Sequence, residues 1–445
     1  MRNFRKILLM CLALFLVEQA AVFCLEPVTY TYYLEKDLKE LKRQDKEPDI
    51  VLVGDSRIYR SFIPEIMDER FGDGTHCTLN TGTGSQSIQE SYYYLKDLIR
   101  TYPVKYAVVE LTYPCFLKVE EESVMGKTVV LDRMQGLKSK LEYIAEVMEP
   151  SEWPYVLKSY RYRNYVPDIP ENVVTKLDAN TRKGIDTREG ERYADRGFVW
   201  TEPVYEDGAV GMPQMEPVQW ESDKVSEEAF EWLDEIRNLC RENEVELILV
   251  TGPTTLTTIY SVENYGDSYI CFSEYARKYG IPYFELNLLK DRKKLLPDSM
   301  MRDSDHVCGA GAEVTTEIFC DILNAHFEEK DTSKWFYASV NEMEKDINAV
   351  VACDLHTESI EGSKDRTIVA QSLQEEGKTV EYEFWINREP GMEKWELLQA
   401  YGPENKCPLS AKELEQDIEL RVNARLCGSD ARWEAYMERL KEVGQ

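Results

Sequence analysis

Histidine is scarce in this chain, with four in 445 residues. No Cys-x-x-Cys pair occurs, and no His, Cys, Asp and Glu cluster stands at metal-ligand spacing. Zinc and thiol-redox chemistry of the usual kind are therefore excluded, and no metal or organic cofactor is expected. Basic residues are also short: 53 Lys and Arg face 82 Asp and Glu, a net charge of −29. Nucleic acid is excluded as a partner, because phosphate binding needs a basic surface, and charge-driven binding to an anionic membrane is disfavoured. The acidity is dispersed, as on a solvated surface. Internal repeats and low-complexity tracts are absent, which removes solenoids. The eleven cysteines are odd in number, and Cys11 and Cys24 fall in the N-terminal apolar stretch. In an exported chain Cys353 could pair with Cys407 or Cys427.

Hydrophobic residues make up 43% of the chain, enough for two or three cores. Arg2, Arg5 and Lys6 precede an unbroken apolar run, Ile7 to Val17, and apolar character resumes from Ala20 to Leu25. This is an export signal whose flanking charges place the N-terminus in the cytoplasm and the rest outside. Ala20 and Ala21 have Glu18 and Gln19 two positions before them, a poor cleavage site, so residues 1–25 are expected to remain as a single anchor. Glu18 counts against that reading, since a carboxylate is costly in a bilayer. Residues 26–47 read as a helical stalk, with an amphipathic helix from Tyr30 to Gln44.

Beyond the stalk, strand and helix patterns alternate: strand Ile50–Val53, helical periodicity to Phe71, strand Cys77–Asn80, helix Gln86–Arg100 and strand Tyr106–Leu111. This is β-α-β-α-β, the pattern of a parallel sheet with helices on both faces. From Phe116 to about residue 225 the periodicity lapses, apart from Leu137–Val147, which predicts an insertion capping one face of the sheet. Its aromatics, Trp153, Tyr155, Tyr160, Tyr162, Tyr165, Trp200 and Trp220, suit either packing within the cap or stacking on sugar rings. Alternation returns with a helix after Ser226, strand Val245–Val250, helix Glu274–Tyr279, strand Pro282–Leu286 and a closing helix through Val314, Ile318 and Ile322. Five strands are expected. From Trp335 the period becomes two: Val380, Tyr382, Phe384 and Ile386, then Ile418 to Leu426, which predicts a small antiparallel β-sandwich over 335–445. Ala431–Val443 reads as a final helix.

Ser56 stands where the first strand stops, in Ile50-Val51-Leu52-Val53-Gly54-Asp55-Ser56-Arg57. Ligands of open parallel sheets lie beyond the carboxyl ends of the strands, so Ser56 is well placed for a nucleophile, although Gly-Asp-Ser is also ordinary turn chemistry. A serine nucleophile needs a base, usually a histidine oriented by a carboxylate. His76 precedes a strand, His326 ends the closing helix and His356 belongs to the C-terminal section. His306 instead lies in the loop before the closing helix, at the same sheet edge as Ser56, with Asp303 and Asp305 both able to hold its second nitrogen.

Gly54-Asp55-Ser56, the glycines of Asn80-Thr-Gly82-Thr-Gly84, and Asp303-x-x-His306 together resemble the SGNH, or GDSL-type, hydrolases over residues 48–327, apart from an insertion at about 116–225. The resemblance implies a flavodoxin-like α/β three-layer sandwich and esterase or acyltransferase activity. By it Ser56 is the nucleophile, His306 the base and Asp303 its orienting carboxylate. The amides of Ser56 and Gly84, with Gly82 second in line, bind the oxyanion. Arg57, Asn80, Thr112 and Asp305 are further candidates. The family's Gly-x-Asn after the third strand is missing: Val109-Glu110-Leu111-Thr112-Tyr113-Pro114 has no asparagine. Loss of one oxyanion donor costs on the order of a hundredfold or more, unless Thr112 or a group from the insertion substitutes. The layout is similar to the membrane-anchored proteins of alginate O-acetylation and lipoteichoic-acid D-alanylation. It implies an extracytoplasmic enzyme acting on acyl, chiefly acetyl, groups of a cell-surface glycan or acylated polymer, with a membrane acyl-donor protein as a further partner. The missing asparagine equally admits a non-catalytic glycan-binding or envelope-assembly protein on the same fold. The last section resembles an immunoglobulin-like module.

Overall fold

A computed structural model describes residues 2–118, 123–178, 190–213 and 217–441. In chain order its first elements are α1 (Arg2–Leu25), α2 (Tyr30–Arg43), β1 (Ile50–Val53), α3 (Ser56–Ser61), α4 (Pro64–Arg70), β2 (Thr78–Asn80), α5 (Ile88–Thr101) and β3 (Tyr106–Glu110). Next come α6 (Val124–Arg133), α7 (Leu137–Glu146), α8 (Ile169–Leu177), the hairpin β4 (Glu191–Asp195) and β5 (Phe198–Thr201), α9 (Glu227–Glu242) and β6 (Glu246–Thr251). The unit ends with α10 (Tyr265–Tyr279), β7 (Tyr283–Glu285) and α11 (Gly309–Phe327).

The expected five strands form one parallel sheet in the order β2-β1-β3-β6-β7. All four residues of β1 are buried, and the two-residue period of a strand sends them alternately to opposite faces. Val51 and Val53 meet Leu95 and Leu98 of α5 and Leu233 and Ile236 of α9 on one side. Ile50 and Leu52 meet Ile58 of α3, Phe62 just beyond it, and Phe319 and Ile322 of α11 on the other. A continuous apolar strand between two helical layers is what a parallel sheet requires. Local chemistry agrees: Ser87 and Glu90 exchange backbone and side-chain bonds as a capping box at the start of α5.

Several expectations need correction. The helix read as a stalk does not stand clear of the protein, because Leu34, Leu38 and Leu41 of α2 enter the main core. The capping region is more regular than its sequence suggested, holding α6, α7, α8 and the β4–β5 hairpin; its helices are short, and apolar residues such as Leu141 and Val174 stand on their exposed faces, which blurs their apolar period. The helical pattern after Ser56 divides into α3 and α4, the second begun by Pro64 at its first turn.

The C-terminal section holds β8 (Ala352–Ser359), β9 (Arg366–Leu373), β10 (Val380–Asn387), β11 (Trp395–Gly402), β12 (Lys406–Leu409), β13 (Ile418–Leu426) and β14 (Ala435–Lys441). They form two antiparallel sheets, β12-β9-β8 and β11-β10-β13-β14. Their inner faces share a core that includes Leu355, Ile368, Phe384, Ile386 and Val422. The expected final helix is therefore β14, which pairs with β13 from Ala424↔Ala435 to Ile418↔Lys441. Its Glu, Met, Leu and Lys residues favour a helix, but an open strand edge with unpaired backbone groups overrides that propensity; Val443 lies outside the described residues. Cys353 and Cys407 are buried free thiols and Cys427 an exposed one, so the structure carries no disulfide among them.

Phe62 is fully buried, with its ring 5.0 Å from that of Phe319. Phe62→Ala is expected to destabilise the α/β unit by about 3–5 kcal/mol through the cavity it leaves, read as a lower urea midpoint.

Candidate active site

β1 ends against Gly54, and contact with the neighbouring strand end demands glycine there: a Cβ would lie 2.6 Å from Glu110 Cβ and 2.9 Å from Glu110 Oε2. Asp55 then caps α3 by accepting the Arg57 amide at 2.9 Å, which makes Ser56 the first helical residue. Asn80, at the end of β2, donates to the carbonyls of Ile58 and Phe62 at 2.8 and 3.0 Å. It satisfies orphan carbonyls at the end of α3 and holds that helix on the sheet. Asn80 is thus a clamp, buried away from the cleft.

The loop after β2 runs beside this corner, with the Thr81 amide on Leu52 O at 2.9 Å and the Thr83 amide on Gly54 O at 3.1 Å. Arg133 of α6 donates to Gly82 O at 2.6 Å, so the capping region fixes the loop from outside. The two glycines divide their duties. A Cβ on Gly82 would meet Ile58 Cγ2 at 2.2 Å, so this residue permits close packing, whereas Gly84 lines the cleft and has open space around it.

From the far end of the sheet comes a tight loop in which the Arg302 amide donates to His306 O at 2.8 Å and the Cys308 amide to Met300 O at 2.8 Å. Its Ser304 carbonyl accepts the hydroxyls of Thr254, Thr255 and Thr258 at 2.8, 2.9 and 2.9 Å, tying the loop to the end of β6. This brings His306 Nε2 to 2.7 Å from Ser56 Oγ. On the other side of the ring Nδ1 is 2.7 Å from Asp303 Oδ1, which also accepts the Asp305 amide at 2.9 Å. A carboxylate acceptor at Nδ1 selects the tautomer with the proton there, leaving the Nε2 lone pair facing the serine hydroxyl. Burial pushes the Asp303 carboxyl up, but the hydrogen bond and charge of His306 outweigh it and hold the group below its ordinary value.

Asp305, the other carboxylate considered for His306, turns instead to Arg57, 3.2 Å away, and Thr254, 3.3 Å away. Burial opposes the charge on Arg57, yet Asp305, Asp55 and Glu110 together raise its pKa, so the guanidinium stays ionised. Thr112 borders the cleft, and its buried hydroxyl lies beside the Glu110 carboxyl, on which it acts as a hydrogen-bond neighbour. Beside it Glu110 is 2% exposed, and neither of its carboxyl oxygens has a well-formed hydrogen bond among the described residues. Burial first, then the Asp55 charge, push its carboxyl well above the usual range, against the pull of Arg57. Folding therefore favours the protonated form of Glu110, which packs against Gly54.

Ser56, Gly84 and His306 open into a cavity of about 790 Å³ that extends toward α5, α6 and α9. None of the seven aromatics singled out in the capping region lines it. Trp220 is buried in the main core and Trp200 packs under Gly309. The aromatic wall is Trp232 of α9, whose ring centroid lies 5.3 Å from Tyr92 and 5.7 Å from Tyr93. It was hidden in the sequence beside Leu233, where it read as one more helical residue. The remaining histidines are elsewhere: His76 is 2.9 Å from Asp49, His326 packs on Phe284 and Phe327, and His356 lies by Glu358.

Fold and site together define a parallel α/β unit with a serine, histidine and aspartate in hydrogen-bonded series at the carboxyl edge of its sheet. No family model matches the chain and no curated protein matches it. Among solved structures it is similar to a Bacteroides fragilis protein provisionally described as an acylhydrolase, at 12% identity and a TM-score of 0.30, over 65% of this chain and 97% of that one.

A carboxyl kept protonated by folding makes the folded state bind more protons than the unfolded one, so stability falls as pH rises above 4.5, the ordinary glutamate value. Glu110→Gln removes that loss. The thermal midpoints of wild type and variant are expected to converge near pH 4.5 and separate toward pH 8 with the variant higher; parallel profiles would show Glu110 to be ionised in the folded protein.

Proposed function

We propose that the chain is a serine esterase or O-acyltransferase of the SGNH type, held at the membrane by α1 with the rest outside, acting on acyl, chiefly acetyl, groups of a cell-surface glycan. What carries the reading is the unbroken series Ser56 Oγ, His306 and Asp303, with both contacts at 2.7 Å. A predominantly apolar 22-residue stretch of helix at the N-terminus, long enough to cross a bilayer though a signal sequence has the same character, supports the location. The C-terminal sandwich is read as an immunoglobulin-like module.

In this mechanism His306 Nε2 takes the Ser56 proton as Oγ attacks the acyl carbonyl, and Asp303 stabilises the imidazolium that forms. The oxyanion rests on the amides of Ser56 and Gly84. His306 returns the proton to the departing sugar oxygen, leaving an acyl-serine. Water, or a hydroxyl of an acceptor glycan, then attacks that ester with His306 again as base. Transfer from a membrane acyl-donor protein uses the same serine in the same way. With no asparagine after β3, the amides of Ser56 and Gly84 stand in for the family's three donors, and catalysis slower by about a hundredfold than with a full set is expected unless Thr112 at the cleft wall supplies the third.

The test is covalent labelling and turnover. A fluorophosphonate probe is expected to label the wild type and not Ser56→Ala, and acetate release from nitrophenyl acetate or an acetylated glycan is expected to stop with it. Asp303→Asn, which leaves the ring in the wrong tautomer, should lower kcat about 10²- to 10⁴-fold. Equal labelling of Ser56→Ala would remove Ser56 as the nucleophile; polysaccharide binding without any acyl release would make this a binding protein.

A further inference from the structure

The anchor and the capping region are joined in a way that fixes where the membrane must end. α1 offers a candidate span of 22 residues, Phe4–Leu25, whose most apolar 18-residue stretch has a mean hydropathy of 2.4. At 1.5 Å per residue the span is about 33 Å, a match to the ~30 Å hydrocarbon layer. Only residues 4–17 are exposed throughout, and their ~21 Å is too short to cross. From Glu18 onward one side of the helix meets the capping region, while Gln19, Ala20 and Phe23 stay exposed. The Ser159 amide donates to Glu18 Oε1 at 3.1 Å, Asn172 Nδ2 to Leu25 O at 3.1 Å and Lys176 Nζ to Phe23 O at 2.8 Å. A bilayer that α1 crosses must therefore reach the part of the capping region that holds it. Glu18 is less of an obstacle than the sequence alone suggests, since it is half-buried and its carboxylate accepts the Ser159 amide.

The surface that meets the bilayer there has the chemistry of an interface. Asn172 and Lys176, four residues apart on α8, face α1, and Val174 and Leu177, three apart, lie on the opposite side, 67% and 57% exposed. Leu157 and Val166 are 57% and 56% exposed nearby, with the amphipathic rings of Tyr160 and Tyr165 beside them. Isolated exposed apolar residues need no explanation, but a group contiguous with a span-length apolar helix does. We propose that residues 157–177 rest in the outer leaflet, with Val166, Val174 and Leu177 among the acyl chains, as a second membrane contact beside α1. The same region reaches the cleft: Arg161 is 2.6 Å from Asp132 at the end of α6, and α6 contributes Gly126 to the cavity lining. The opening at Ser56 is thereby held at a set height over the lipid, which selects substrates anchored in or lying close to the membrane.

This inference rests on α1 being a retained anchor, and the experiment separates the two. The full chain is reconstituted in phosphatidylcholine vesicles with or without bromine on the acyl chains, as wild type, as Val174→Trp and as Met392→Trp, the last an exposed position on the distant sandwich. The emission that Val174→Trp adds is expected to fall about twofold or more in brominated vesicles, and that of Met392→Trp to stay unchanged. If the chain resists alkaline carbonate extraction but the added emission of Val174→Trp is no more quenched than that of Met392→Trp, the anchor stands and the second contact is overturned, leaving a protein partner or a second copy to cover the patch. Extraction of the chain by carbonate overturns both.

Discussion

One steric constraint governs the edge of the sheet on which the site depends: the space a side chain at residue 54 would need is filled by Glu110. That contact lets the ends of β1 and β3 close together, and the turn into α3 follows with Ser56 at its head. Asn80 then holds the helix to the sheet by its last carbonyls, so the serine is positioned from both ends of α3. A buried carboxyl without good hydrogen bonds is costly to keep. Such local cost at a candidate site, set beside a fully apolar strand core, fits the tendency of functional positions to depart from the rules that govern the rest of a fold.

Much of this was legible in the residues. The apolar run Ile50–Val53 and the alternation after it announce a parallel sheet, and the choice among four histidines could be made by asking which one emerges at the edge where Ser56 stands. The choice between Asp303 and Asp305 could not, because it turns on the path of a five-residue loop whose shape is set by three threonine hydroxyls on Ser304 O, an arrangement between segments fifty residues apart in which no local pattern shows. Trp232 escaped notice for a related reason: a helix that is buried on one face and forms a wall on another gives adjacent residues different tasks. The error at β14 has a different origin, since residues with good helix propensity were claimed by a strand edge that only the finished sandwich presents. The capping region was read as irregular because its helices are too short for their period to stand out.

The two halves of the molecule meet where Val340, Met343 and Val351 join the main core, and the capping region adds a second junction. Gly208, just beyond the β4–β5 hairpin, accepts the Tyr436 amide of β14, and Tyr436 in turn reaches Glu206 at 2.9 Å. The segment that touches the cleft through α6 and α1 through α8 thus also steadies the edge of the sandwich. Three functions of position are concentrated in a stretch whose sequence gave the least sign of order.

Ser56 and His306 are 250 residues apart in the chain. Contacts of such separation are the last to form, because the loop between them must lose its freedom before they gain anything. The serine corner belongs to the first βαβ units and can fold while the rest is still being made. It then waits as an ordinary hydroxyl in a turn, since no base is near it. The hydrogen bond from its hydroxyl to His306 can form only when the Thr254 to Thr258 segment and the final helix have docked. The long excursion of the polypeptide between the two residues thus ties completion of the candidate site to completion of the α/β unit.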